Sequence, residues 1–359
     1  MNHSHSAFKT ILVTGNMGYV GPHVVRRLVR SYPKAKLIGL DVGYFAHCLT
    51  SSALLPETRV NVQHFLDIRD LKPELLKGVD AVVHLAALSN DALGMMSDKV
   101  TLDVNFRASI RLARWCRAAG VRSFVFASSC SVYGFSENGI CSESSPVHPL
   151  TAYAKSKVMV EEGLKPLAGK DFKITCLRFA TACGMSERLR LDLVLNQLVH
   201  SAMRQKQIKV LSDGTPWRPL IHVRDMAAAM DWALGRPVQA GGPYLIVNAG
   251  ANQANYQVRD LAYAVQKCFP GIEVSINDHA LPDKRSYRVA FDLFKKLAPR
   301  YQPQIKLEEA IVDIKNGLAS LEPRDVEIRD ASLIRMNVLQ ELNHLNYCGR
   351  GVRLRKCYA

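Results

Sequence analysis

The 359-residue chain is 48% hydrophobic, enough to bury a substantial core and to build two lobes. No apolar run approaches the roughly 18–20 residues of a membrane-spanning helix, and the first strand is reached without a charged, apolar and cleavage-site leader, so neither a membrane partner nor a secretory signal is expected. The formal charge of +15 is spread along the chain, and the nine cysteines are scattered with no C-x-x-C pair; this disfavours nucleic acid and zinc and predicts a cytoplasmic protein with reduced thiols and an anionic small-molecule ligand.

After a polar lead containing His3 and His5, which read as no ligand pair, Ile11-Leu12-Val13 forms a short apolar strand that runs into three spaced glycines. Gly15 suits a tight turn, Gly18 a close approach of backbone to a pyrophosphate, and Gly21 close packing of the following helix, Pro22 to Arg30. Its leading amides suit an anion. The next strand, Lys36 to Leu40, ends at Asp41, twenty residues after Gly21, where a carboxylate can accept hydrogen bonds from adenosine ribose hydroxyls. No arginine directly follows Asp41 to hold a 2′-phosphate, so the cofactor read from this stretch is NAD.

Alternation continues. Val60 to Phe65 reads as a strand, Asp70 to Lys77 as a short helix, Ala81 to Leu88 as a buried strand, and Val104 to Ala119 as a helix closed at Gly120. Ser123 to Ala127 is another strand, followed by a polar loop to about residue 149, a helix from Thr151 to Leu164 and a sixth strand, Ile174 to Phe179. The order predicts an α/β fold with a doubly wound parallel (Rossmann) sheet and its ligand at the strands' carboxyl ends. Past residue 180 the alternation weakens, which predicts a smaller, discontinuous C-terminal substrate lobe. Residues 1–179 form the cofactor domain, rejoined by about 220–250 because Tyr244 to Asn248 reads as one more buried strand. Residues 180–359 form mainly the substrate lobe with a helical tail. Ala331 to Leu345 carries apolar residues at helical spacing and reads as a packing helix, and Arg350, Arg353, Arg355 and Lys356 as a solvated terminus.

Tyr153 and Lys157 lie four apart on a predicted helix and project from one face. An ammonium there can stabilise a phenolate, and a phenolate can take a proton from a substrate hydroxyl while the same carbon gives up hydride. Tyr32/Lys36 and Tyr263/Lys267 share the spacing and serve as internal controls: neither follows a strand ending in hydroxyls. Ser128, Ser129 and Ser131 follow the strand Ser123 to Ala127, with Ser129 twenty-four residues before Tyr153.

With these residues the chain resembles the extended short-chain dehydrogenase/reductase family, in particular its NAD-dependent nucleotide-sugar epimerases and dehydratases of the UDP-glucose 4-epimerase type. The resemblance spans roughly residues 9–315. It rests on TGNMGYVG at 14–21, Asp41, LDI at 66–68, LAA at 85–87, Asn105, ASSCSVYG at 127–134, YAKSK at 153–157, LRFATACG at 177–184 and WRPLIHVRD at 217–225. It implies that Gly15, Met17, Gly18, Tyr19, Val20, Gly21, Asp41, Asp67, Ile68, Leu85, Ala86, Ala87, Asn105, Tyr153 and Lys157 meet the cofactor. Ser129, Ser131, Thr181, Arg218 and Arg285 would meet the substrate, with Arg218 on its diphosphate; a surface ion pair is the alternative for Arg218. Ser129, Tyr153 and Lys157 would be the catalytic set, no metal is required, and a homodimer through the helices near 104–119 and 151–164 is implied.

Two departures narrow the reaction. Related 4,6-dehydratases carry an Asp-Glu pair just after the catalytic hydroxyl, where this chain has Cys130 and Ser131, so dehydration is disfavoured. Thr181 stands where many 4-epimerases have asparagine, which leaves the sugar and nucleotide open. Cys130 reads as a buried structural thiol rather than an acid/base, and His84 and His222 as satisfied core histidines; His200 is a candidate without a direct reason. The expected function is an NAD-dependent nucleotide-sugar epimerase, at C4 through a transient 4-keto sugar. A 4-ketoreductase is the alternative and a redox-sensing or nucleic-acid-binding dinucleotide fold is the rival from another class.

Overall fold

Seven short strands with largely apolar centres form the middle of the molecule: β1 (Thr10–Thr14), β2 (Lys36–Asp41), β3 (Val62–Phe65), β4 (Ala81–His84), β5 (Ser123–Ser129), β7 (Lys173–Phe179) and β11 (Tyr244–Ala249), with β6 (Phe135–Cys141), β8 (Thr181–Cys183), β9 (Gln207–Val210) and β10 (Trp217–His222) lying outside this sheet. All seven are parallel, in the order β11-β7-β5-β4-β1-β2-β3. The order reverses between β1 and β4, the switch point at which a ligand crevice forms in a doubly wound sheet. The structure is a computed structural model that describes residues 8–50, 54–89, 98–277, 279–280, 285–321, 331–345, 347–349 and 351–354; His3, His5, Arg350, Arg355 and Lys356 lie outside the described residues.

The strand sequences explain why both faces are covered. On β1, Ile11 and Val13 join one core with Val24 and Leu28 of the helix Gly21–Ser31 and Met230 of the helix Val223–Gly235. Leu12, pointing the other way, joins a second core with Leu112 of the helix Ala108–Ala118 and Val160 and Leu164 of the helix Ala152–Leu164. A strand apolar on both sides is stable only between two helical layers.

The sequence boundaries shift in four places for physical reasons. Pro73 cannot donate a helical hydrogen bond and holds Lys72 extended (ψ 149°), so the predicted helix 70–77 is two 3₁₀ turns, Ile68–Asp70 and Pro73–Leu76. The strand predicted over 81–88 stops at His84, where the chain leaves the sheet. The helix predicted from Val104 begins at Asp98 and passes through a π turn, Asp103–Arg107, before Ala108–Ala118; its glycine stop holds, with Gly120 at φ +79° and Val121 N bonded to Cys116 O. The polar loop after β5 contains β6.

Tyr244–Ala249 rejoins the sheet beside β7, as its apolar run predicts. The remaining strands form small sheets: β8 (Thr181–Cys183) with β10 (Trp217–His222) and β12 (Asn255–Gln257); β9 (Gln207–Val210) with β13 (Glu273–Ile276); β6 with β14 (Ser286–Val289); and β15 (Cys348–Gly349) with β16 (Arg353–Leu354). The tail helix is Arg335–His344, with Val338 and Leu339 buried.

Candidate active site

The carboxyl ends of β1, β2, β4 and β5 open on one cavity of about 650 Å³. Gly15 forms its floor at φ +73°, a conformation that favours glycine. A Cβ there would lie 2.5 Å from Ala86 N, so the loop after β4 reaches the turn only because no side chain intervenes. Gly18 N donates to Gly15 O (3.1 Å), and a Cβ on Gly21 would sit 2.2 Å from Asn16 O. No side chain caps the helix Gly21–Ser31 and no acidic residue stands in its first turn, an arrangement that leaves the amides of its first turn to an anion.

Asp41, at the end of β2, accepts hydrogen bonds from Met17 N (3.0 Å) and Gly43 N (2.9 Å). Burial pushes its carboxyl pKa up, against those two amides. Tyr44, Phe45, Asp67 and Ile68 line the same end; Asp67 is held by Arg69 at 2.6 Å. A turn with no room for side chains, an uncapped helix and a buried acid at the ribose position fit a dinucleotide.

The opposite wall comes from β5 and the helix Ala152–Leu164. Thr151 caps that helix, accepting from Ala154 N (3.2 Å), and this places Tyr153 and Lys157 in the cavity wall. Lys157 Nζ donates to Ala127 O (2.6 Å) and lies 4.6 Å from the Phe126 ring centroid and 5.3 Å from that of Tyr153. Burial pulls its pKa down to about 7, opposed by Glu161 on the next turn. Glu161 is itself held by Arg178 at 2.7 Å and by Ser128. The two control pairs differ: Lys36 and Lys267 are exposed, and neither pair lines the cavity.

Ser129 Oγ accepts from Ser131 N (3.2 Å), capping the turn Cys130–Tyr133. That turn sends the two following side chains apart. Cys130 is buried and donates to Arg178 O (3.2 Å), with burial raising its thiol pKa well above the usual range, whereas Ser131 lines the cavity with a buried Oγ that has no hydrogen-bond partner among the described residues. Thr181, Arg218 and Arg285 form the far wall. Arg218 Nη1 donates to Trp217 O (2.9 Å) and to Arg285 O, so backbone carbonyls help to fix its guanidinium in the cavity wall.

Most of the residues expected at the site thus share one cavity; Met17 and Asn105 do not reach its wall. Met17 contributes its amide to Asp41. Asn105, 2% exposed, bonds both backbone groups of Leu88 and the Ser156 hydroxyl, and so fixes the loop that carries Leu85, Ala86 and Ala87. His84 bridges Thr14 and Ser109, and burial lowers its pKa to about 3; His222 bonds Asp313 and caps the helix Val223–Gly235. His200 is not in the wall. The sequence reading missed Arg190, Lys209 and Arg335, all lining the cavity. Arg190 grips Asp192 through Nε and Nη2, each at 3.0 Å. Charges alternating with leucine in RLRLD, 188–192, were the available signal.

Comparison with known proteins agrees with this geometry. A Bacillus subtilis protein described as an uncharacterized UDP-glucose epimerase, YtcB, is 32% identical over 237 residues, 63% of this chain and 73% of that one. A putative UDP-glucose 4-epimerase of Methanocaldococcus jannaschii is 27% identical over 322 residues, 86% and 98% of the two chains. In fold, the chain is similar to MoeE5 solved with UDP-glucose and NAD (TM-score 0.73, 24% identity, 86% of this chain and 98% of that one) and to TunA, an NAD-dependent NDP-hexosamine 5,6-dehydratase (TM-score 0.76, 24% identity, 88% and 100%). The model of the NAD dependent epimerase/dehydratase family matches residues 11–250, from β1 through the last strand of the large sheet; the chain belongs to that family, and NAD is its cofactor.

Proposed function

We propose that this protein is a nucleotide-sugar epimerase that inverts C4 through a transient 4-keto sugar. The observation that carries the reading is the sharing of one cavity by the glycine turn, by Ser129, Tyr153 and Lys157, and by Arg218. The glycine turn, Gly15 to Gly21, and Asp41 would hold NAD, which would supply reversible hydride acceptance at the sugar carbon. Tyr153 takes the hydroxyl proton as hydride leaves and gives it back to the ketone oxygen, and Lys157, when protonated, favours the phenolate. Ser129 and the unpaired Ser131 hydroxyl hold the reacting sugar oxygen. Arg218 binds the diphosphate by charge-assisted hydrogen bonds. The large sheet carries the cofactor and the part after residue 180 mainly the sugar. The names of the relatives make UDP-hexoses the first substrates to try.

Elimination of water needs an acid and a base at separate carbons. The thiol of Cys130 is turned into the core and Ser131 carries no carboxylate, which argues against a dehydratase. A 4-ketoreductase would use the same triad once. Incubating the protein with UDP-, dTDP-, GDP- and CDP-sugars separates these: an epimerase interconverts C4 isomers without net change at 340 nm, and a ketoreductase consumes reduced cofactor. Tyr153→Phe should abolish turnover and leave NAD binding nearly intact; unchanged turnover would remove Tyr153 from the mechanism. A cytoplasmic homodimer through the helices near 104–119 and 151–164 completes the proposal, and sedimentation at the monomer mass in analytical ultracentrifugation would remove the dimer from it.

A further inference from the structure

The family match ends at residue 250, yet five residues beyond it stand in the cavity wall, Val258, Arg285, Tyr287, Arg335 and Val352, the last two from the far C-terminal segment. Arg335 opens the helix Arg335–His344 and is 2% exposed. Its guanidinium lies 4.5 Å from the Phe45 ring centroid, and Nη2 donates to Arg188 O (2.8 Å). Nη1 is buried without a hydrogen-bond partner among the described residues. A guanidinium nitrogen left unpaired in a buried place is costly unless an acceptor arrives.

Val352 follows Gly351 between β15 and β16 and has φ +55°, a region that a β-branched residue avoids. Four contacts hold it there. Tyr44 OH donates to Val352 O, Arg69 donates to Gly351 O (2.8 Å) and Val352 O (3.4 Å), and Arg353 pairs with Asp70 (2.6 Å). Cys348, buried beneath with Leu339 and Leu88, ties the hairpin to the same cluster. Tyr44 and Arg69 flank the end of the cavity that holds Asp41, Asp67 and Ile68, so the strained valine closes that end with an apolar surface.

We propose that the C-terminal segment completes the cofactor site: Val352 packs on the adenine, and Arg335 donates through Nη1 to an oxygen of the adenosine half of the dinucleotide. This rests on the dinucleotide reading above. The test is calorimetric titration of the full chain with NAD, ADP-ribose and UDP-glucose. Val352→Gly relieves the backbone and removes the wall; it should weaken NAD and ADP-ribose alike, by about tenfold, without lowering Tm. Arg335→Met keeps the apolar stem on Phe45 and should weaken both by at least about tenfold. UDP-glucose affinity should stay at the wild-type value in both variants, which a purely structural role would not give. Wild-type affinity of Val352→Gly for ADP-ribose overturns the inference even if Arg335→Met fails to fold. A wild-type protein that binds neither NAD nor ADP-ribose overturns the dinucleotide reading itself.

Discussion

Lys157→Met should stabilise the protein near neutral pH while abolishing turnover. Burial carries the lysine pKa from 10.5 down to about 7, which at about 1.4 kcal/mol per pH unit corresponds to about 5 kcal/mol of disfavoured charge, of which roughly 4 kcal/mol is felt at pH 7, where the group is half protonated. Methionine removes that cost. It also removes the bond to Ala127 O and the approach to the Phe126 and Tyr153 rings, together about 2–4 kcal/mol. The net gain at pH 7 is therefore about 1 kcal/mol. Because the folded state gives up this proton first, the unfolded chain holds more protons between pH 7 and 10.5, and wild-type stability rises across that window. At pH 9.5 the cost has fallen to about 1.4 kcal/mol, so the variant should then be the less stable by about 2 kcal/mol. Urea unfolding at pH 7 and 9.5 measures the crossing, a swing of about 3 kcal/mol between the two proteins. A difference that stays constant with pH would refute the account of Lys157 as a lysine buried against its charge.

Acid should act through His84, whose folded pKa of about 3 lies below the unfolded value: stability present above pH 6.5 is lost as pH falls, by about 3 kcal/mol at pH 4, and His84→Gln should lose that much less in urea midpoints taken at both pH values. Arg178→Met strips the buried Glu161 of its bidentate partner and should cost about 3–5 kcal/mol in urea unfolding, most of it recovered when Glu161→Gln is added. Gly15→Ala adds a Cβ at positive φ and 2.5 Å from Ala86 N. It should cost about 2–4 kcal/mol and remove NAD binding, read by unfolding and by titration.

How much of this was legible in the sequence depends on whether the controlling interaction is local. The large sheet was, because strands apolar on both faces and helices apolar on one repeat within short windows, and β11 announced itself sixty residues past the weakening of the pattern by the same apolar run. The Tyr153–Lys157 pair was also legible, since four residues on a helix fix one face whatever surrounds them. What the spacing does not contain is the solvent: Lys36, Lys157 and Lys267 look alike in sequence, and the packing of Phe126 and Ala127 over Lys157 separates a buried lysine from two exposed ones. The tail was legible only in part for the same reason. Val338 and Leu339 pack as helical periodicity predicts while Leu345 stays exposed, but Arg335 and Val352 reach the cavity wall beside Phe45, Tyr44 and Arg69, some 280–310 positions away, and no periodicity reports a partner at that distance. A site assembled at a topological switch point is therefore read from sequence up to the residues that build the crevice, and from structure for those that close it.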